Sequence, residues 1–409
     1  MSERKLRLGI AGLGRAFSLM LPTFALHPLV EVVAGADPRP EARARFGKDF
    51  SAATAYATID ELCRDRAVEA VYVATPHQFH ADNVLAAAGN GKHVLVEKPM
   101  ALTLAQCQVM VEAARRAGVY LIVGHSHSFD APIGRTRALV ESGAVGRLRM
   151  ITALNYTDFL YRPRRPEELV TAQGGGVIFN QAPHQVDVVR LIGGGRVRSV
   201  RAAVAAWDSE RPTEGAYNAW LTFDDGVVAS LTYSGYAHFD SDELCEWFGE
   251  SGERKQVSRH GAARQALARA GTPDAELKLK SGRNYGGADY VTPPSSAAGE
   301  RWHQHFGVVI ASCERADLRP LPRGVMIYDD MHARLDALDP PAVPRSEVID
   351  ELYAAIAHNR APAHSGEWGM ATMEVCVAML QSAREQREVV LQHQIGLPER
   401  VLAPAPASA

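Results

Sequence analysis

Over the first 125 residues, short apolar runs alternate with helix-length segments, and this rhythm constrains the fold more than any other feature of the chain. The strand-like runs cover residues 6–12, 30–37, 68–75, 93–98 and 119–125. Between them lie helical patterns such as RARFGK, HADNVLAAAGNGK and LAQCQVMVEAARRAG. Thr103 and Gln106 offer the last of these a capping-box start, and Gly118 offers it a stop. Strand followed by helix in strict alternation implies right-handed crossovers and a parallel sheet covered on both faces. A doubly wound domain is expected over residues 1–125.

The texture changes near residue 145, where strand-like runs follow one another with turns between them. RLRMITALNYT, VRSVRAAVAAW, YNAWLTF, VVASLTYSGY and DELCEWFG read as antiparallel neighbours, with Asp224, Asp225 and Gly226 as a hairpin turn. One helical segment, GGVIFNQAPHQVDVVRLIG, interrupts them. Residues 250–300 have weak periodicity and read as an excursion or partly mobile loop. Strands return at HFGVVIAS and GVMIYDD, and helices follow at SEVIDELYAAIAHNR and MATMEVCVAMLQSAREQ. The expected fold is an α/β doubly wound parallel sheet followed, over residues 126–400, by an α+β substrate and oligomerisation domain. The sheet of that second domain is expected to be open and mostly antiparallel, and residues 401–409 to be a disordered tail.

A chain of 409 residues exceeds the length at which one core keeps growing, which agrees with two domains. A net charge of -3 argues against a nucleic-acid surface, though not against a local basic pocket for a small acid. The five cysteines form no CxxC pair and their odd number closes no complete disulfide framework, which suits a reducing compartment. No signal peptide and no apolar run of membrane-spanning length is present, so the cytoplasm is the default expectation.

Gly12, Gly14, Arg15 and Ala16 sit between the first strand and a helix, where a dinucleotide pyrophosphate can rest on free N–H groups and the helix dipole. Phe17 stands where a third glycine is expected. Asp37 ends the second strand about where an acid reads the adenosine ribose, with a helix N-cap as its other possible role. Arg39 suits a 2′-phosphate, so the cofactor reads as NAD with NADP possible. Glu97-Lys98-Pro99 closes another strand at the sheet edge where such folds place ligands. Lys98 can hold a substrate hydroxyl and act as a general base, or it can merely pair with Glu97.

Taken in order, Gly12-x-Gly14, Thr75-Pro76 with His80, Glu97-Lys98-Pro99 and a later Gly-rich helix carrying His184 resemble the Gfo/Idh/MocA oxidoreductases. The resemblance implies a Rossmann domain, an open-sheet domain, a nicotinamide cofactor, and Lys98 and His184 facing the substrate. Asn180 stands where relatives carry an Asp four residues before the histidine, and 180, 184 and 187 share one face if the segment is a single helix. Asn180 can still position a hydroxyl. His125 and His127 replace an Asn and Arg near the substrate; two imidazoles so spaced also suit a metal, but no partner set accompanies them and none is expected. Arg162, Arg164 and Arg165 precede the helix and suit carboxylates.

The length of 409 residues, the GLGRAF start and the His125–His127 stretch together resemble the phthalate-degradation branch of that family, the cis-dihydrodiol dehydrogenases. The resemblance implies oxidation of phthalate 4,5-cis-dihydrodiol to 4,5-dihydroxyphthalate by a homo-oligomer, dimer or tetramer. A sugar or inositol dehydrogenase, a glycosidase holding NAD, and a nucleotide-sensing regulator are the competing readings; a regulator has no use for both Lys98 and His184.

Overall fold

A computed structural model describes residues 4–257, 260–291 and 301–398. Its N-terminal strands and helices alternate as β1 (Leu6–Ala11), α1 (Arg15–Leu26), β2 (Val30–Ala36), α2 (Pro40–Asp49), β3 (Thr54–Tyr56) and α3 (Ile59–Arg64). They continue as β4 (Ala70–Val73), α4 (His80–Gly89), β5 (His93–Val96), α5 (Leu104–Ala117) and β6 (Leu121–Val123). All six strands are parallel in the order β3-β2-β1-β4-β5-β6. Strand β3, of only three residues, carries too little pattern to be read from the sequence. Helix α5 begins at the Thr103–Gln106 capping box and ends at Gly118, whose φ of 65° suits a residue without Cβ.

Helix α6 (Ala131–Glu141) leads into the second sheet. Its first half holds β7 (Leu148–Tyr156), the short α7 (Gly176–Asn180), α8 (Ala182–Gly193), β8 (Val197–Ala205), β9 (Ala216–Phe223) and β10 (Val228–Ser234). After α9 (Ala262–Ala270) and α10 (Pro273–Gly282) come β11 (Val308–Cys313), β12 (Ala316–Leu321), β13 (Gly324–Asp329) and β14 (Ala333–Ala337). Helices α11 (Ser346–His358) and α12 (Gly366–Glu385) and the edge strand β15 (Val389–Val390) complete the described chain. The nine strands run β14-β13-β12-β11-β7-β10-β9-β8-β15, all antiparallel except β7 beside β10. That parallel pair exists because α7, α8, β8 and β9 intervene, and so long a crossover can return a strand in the same direction. Asp224–Gly226 does turn β9 into β10.

Four expectations are corrected. DELCEWFG is not a strand: residues Ser241–Cys245 form a 3-10 turn started by the Asp240 carboxylate on the Asp242 N–H. Glu246 and Trp247 then take φ of 60° and 59°, which no extended ladder accommodates. The 250–300 segment is not all loop: it carries α9 and α10, and Thr272 caps α10 on the Ala275 N–H with Pro273 in its first turn. GGVIFNQAPHQVDVVRLIG is two helices, since Pro183 has no N–H to continue the ladder and Gln181 leaves helical φ at -119°. Helix α11 returns to the first sheet, burying Val348, Ile349 and Leu352 in one cluster with Leu8, Ile10 and Phe24. The expected tail at 401–409 lies outside the described residues, as do 258–259 and 292–300 of the excursion. All five cysteines are unpaired, and among the described residues no helix is long and apolar enough to cross a membrane.

Candidate active site

The C-terminal ends of the parallel strands and the inner face of the second sheet bound a cleft of about 750 Å³. Arg15, Ala16, Thr75, Glu97, Lys98, His125, His127, Arg162 and His184 line it, together with His77, Thr157, Asp242, Glu250 and Arg345. The last five carried no sequence signal. His77 and Thr157 lie in short connections, and the others are brought in by segments distant in the chain.

At the glycine turn, Gly12 has φ of 93°, and a Cβ there would meet the Ala74 carbonyl and Thr75 nitrogen at 2.9 Å. The backbones cross so closely that only glycine fits. Gly14 precedes α1 with no side chain capping the helix, and the space beside its Cα is open. Uncapped N–H donors at an open helix N-terminus suit a dinucleotide pyrophosphate, so these residues fit the cofactor. Phe17 does not join them: it is fully buried against Tyr285, with ring centroids 4.9 Å apart. A phenylalanine replaces the third glycine because this side of α1 faces an aromatic core rather than a sheet backbone.

Asp37 Oδ2 accepts the Leu13 N–H at 2.9 Å, and Oδ1 accepts from the Arg39 N–H at 2.9 Å and its Nε at 3.0 Å. Arg39 also donates to the Leu13 carbonyl at 2.7 Å. The acid and the arginine expected at the ribose corner are therefore one another's partners. His80 is buried, its ring bridging the carbonyls of Pro99 and Thr75 at 2.9 Å each. It braces the turn through Thr75 and Pro76 that leads into α4, and its ring meets that of the cleft residue His77 edge to face at 5.7 Å.

Lys98 makes no ion pair with Glu97. Its Nζ donates to the Asn180 main-chain oxygen at 2.9 Å, while Glu97 accepts from the Tyr72 hydroxyl at 2.5 Å. Burial lowers the Lys98 pKa against the opposing pull of Glu97, and burial raises that of Glu97. An amine so placed is closer to giving up its proton than an exposed lysine. The Asn180 side chain turns away, donating to the carbonyls of Gly174 and Gly176 at 3.0 and 2.8 Å. Because the helix breaks at Gln181, Asn180 does not share a helical face with His184. Its contribution to the cleft is the oxygen that holds Lys98.

His184 packs between His127 and Phe306, at 4.8 and 4.9 Å between ring centroids. Its Nδ1 is buried with no partner among the described residues. Burial, and then the charge of Lys98, keep its pKa well below that of a free imidazole. Asp187 serves a different purpose, accepting from Ser128 Oγ at 2.6 Å and Thr372 Oγ1 at 2.9 Å inside the core. His127 donates through Nδ1 to Asp130 Oδ2 at 2.7 Å, and His125 approaches the same carboxylate at 3.4 Å. Burial pushes both imidazoles down to about 3, so both are neutral at pH 7.

The arginine run divides. Arg162 reaches the cleft, bonded to Asp158 at 3.0 Å and 3.8 Å from Glu250. Arg164 is turned inward, 3.5 Å above the Phe159 ring and donating to the Phe159 carbonyl at 2.6 Å. Arg165 lies beside Glu167 and Glu168, at 3.2 and 3.6 Å. Spacing alone could not distinguish the three, because the turns that aim them are set by contacts with α9 and α10.

A glycine cradle for a dinucleotide, facing a lysine of lowered pKa and a neutral histidine across a cleft between two sheets, defines a nicotinamide-dependent oxidoreductase. The comparisons with known proteins agree. Residues 6–125 match the model of the oxidoreductase family with NAD-binding Rossmann fold, and residues 133–254 match the GFO/IDH/MocA C-terminal domain. The chain belongs to the Gfo/Idh/MocA family. It is 48% identical over 382 residues to a 1-carboxy-3-chloro-3,4-dihydroxycyclohexa-1,5-diene dehydrogenase of Comamonas testosteroni, covering 93% of this chain and 96% of that one. A crystal structure from Bordetella bronchiseptica RB50 superposes with a TM-score of 0.88 at 44% identity, over 95% of this chain and all of the other. Levoglucosan dehydrogenase with NADH and levoglucosan shares the fold, with a TM-score of 0.71 at 16% identity over 95% of this chain and 99% of the other.

Proposed function

We propose that this oxidoreductase dehydrogenates a cyclic cis-dihydrodiol that carries a carboxylate, giving the corresponding catechol acid. The supporting observation is the 48% identity, along nearly the whole chain, to a relative named for such a carboxylated diene diol. When bound, the nicotinamide supplies the acceptor for the carbinol hydrogen and its electron pair. The protein's part is to align the diol and to take the hydroxyl proton, at Lys98 Nζ or the imidazole of His184. The hydroxy-dienone that results tautomerises to an aromatic ring, which draws the reaction forward.

Within this class the 4,5-dihydrodiol of phthalate is our specific substrate, with Arg162 among the groups that favour an acid. The assay records NADH and NADPH formation with the dihydrodiols of phthalate, chlorobenzoate and benzene, and with inositol and simple sugars. Turnover confined to carboxylated diols is expected. Faster turnover of inositol or a sugar would replace the reading with a polyol dehydrogenase, and turnover of a glycoside without net NADH would point to hydrolysis. We further propose a homo-oligomer built on the outer face of the second sheet, where Trp220 is 46% exposed.

A further inference from the structure

We propose that Arg345, which no part of the sequence pattern singled out, is the residue that grips the substrate's carboxylate; this rests on the carboxylated-diol reading above. The inference begins with the cations of the cleft. Lys98 is held by the Asn180 oxygen, Arg162 is paired with Asp158, Lys255 lies between Asp240 and Asp242, and Arg254 lies over the Phe248 ring, 5.6 Å from its centroid. Arg15 sits in the first turn of α1, where a cofactor's phosphates fit. Arg345 bonds through Nε alone, to Gln304 Oε1 at 3.1 Å. Its two terminal nitrogens have no acceptor among the described residues, and it lines the cleft. A planar fork with both terminal donors uncommitted matches the two oxygens of a carboxylate.

The arginine is also held in place. It stands at the N-cap of α11 with φ of 56°, a left-handed conformation that side chains other than Gly, Asn and Asp rarely adopt. The preceding carbonyl, of Pro344, accepts from Thr23 Oγ1 of α1 at 2.6 Å. The helix that follows is anchored in the first domain's core by Val348, Ile349 and Leu352, all fully buried. The guanidinium is thus presented from rigid elements on the nucleotide side, opposite Arg162 of the sheet side. Its charge reaches Lys98, His125, His127 and His184, contributing to the lowered pKa of each. A carboxylate on Arg345 would place the rest of a small ring among the groups that handle its hydroxyl protons.

The test compares a carboxylated dihydrodiol with its carboxylate-free analogue in the wild type and in Arg345→Asn, chosen because Asn tolerates the left-handed backbone. The expected result is a fall of about tenfold to a hundredfold in the ratio of kcat/KM for the carboxylated diol over that for its analogue, carried mainly by KM of the carboxylated diol. Arg345→Gly, which fits the same φ, repeats the test should Asn disturb the cap, and Arg345→Lys should recover part of the preference. Inhibition by benzoate and phthalate gives a second reading, and both should weaken about tenfold in the Asn variant. An unchanged preference in a folded Arg345 variant, with unchanged inhibition, overturns the role of Arg345 while the substrate class stands. Equal handling of both diols by the wild type, with no inhibition by either acid, overturns the carboxylated-diol reading itself.

Discussion

The proton transfer we propose falls to two side chains lining the cleft: Lys98, tied to the Asn180 carbonyl 2.9 Å away, and His184, with a buried Nδ1 that finds no partner among the described residues. A carbonyl orients the amine without neutralising it, so Lys98 remains able to exchange a proton. Lys98→Met and His184→Ala should each lower kcat by about 10² or more with the dinucleotide still bound, and the double variant should lose less than the product. Steady-state kinetics beside a cofactor titration checks this, and near-normal turnover in either variant removes that residue from the chemistry. Asp37 and Arg39 make a second residue-scale case, because their pairing leaves neither charge alone at the ribose corner. In Arg39→Ala the carboxylate is unmasked and a cation is lost, and both changes disfavour a 2′-phosphate. The ratio of kcat/KM for NAD over NADP should rise about tenfold. An unchanged ratio would place the pair away from the ribose.

Helix α10 shows how an element with a weak sequence signal shapes the site. Its Glu276 carboxylate accepts from Arg211 at 2.8 and 3.2 Å and from the Arg164 N–H at 2.7 Å, and Lys280 bonds Glu168 at 3.0 Å. These contacts brace the turns that send Arg162 into the cleft and Arg164 into the core. Beyond α10, Tyr285 meets Phe17 edge to face and bonds Asp49 at 2.7 Å, so the excursion from the second sheet is pinned to the first domain. Glu276→Ala leaves Arg211, only 4% exposed, without its carboxylate. Removing one partner of a buried pair costs about 3–5 kcal/mol. Urea unfolding should show a loss in that range, together with a raised KM, and a loss below about 1 kcal/mol would mean that α10 does not brace the loop.

For the whole molecule, the neutral histidines of the cleft set an acid limit on stability. His125 and His127 are held down to about 3 by burial, whereas in the unfolded chain each titrates near 6.5. A histidine whose folded pKa is lowered keeps its full stability above the unfolded value and loses it as pH falls from about 6.5 toward 3, because only the unfolded chain takes up the proton. Between pH 7.5 and 5.5 the loss is about 1.4 kcal/mol for each. Urea midpoints at the two pH values measure it, and His127→Gln should flatten the dependence; a profile independent of pH would show that the two rings are hydrated or already charged.

The parallel order of the first sheet, the glycine cradle, Lys98 at a strand end and His184 on a helix were legible in the sequence, because they rest on local periodicity, caps and turn chemistry. Those signals act within a few residues of where they are written. The break at Gln181 was half legible in Pro183, whose missing N–H is also local. Which of Arg162, Arg164 and Arg165 enters the cleft, the closing of Arg39 onto Asp37, and the arrival of Arg345 from the far end of the chain were decided by tertiary structure. Distant partners fix even the pairs that are close in sequence: the Leu13 backbone, 24 and 26 residues away, holds Asp37 and Arg39 together, and Glu276, 112 residues away, holds Arg164. A side chain's direction is set by whichever neighbour satisfies its charge, and that neighbour is chosen only when the sheets and helices have packed.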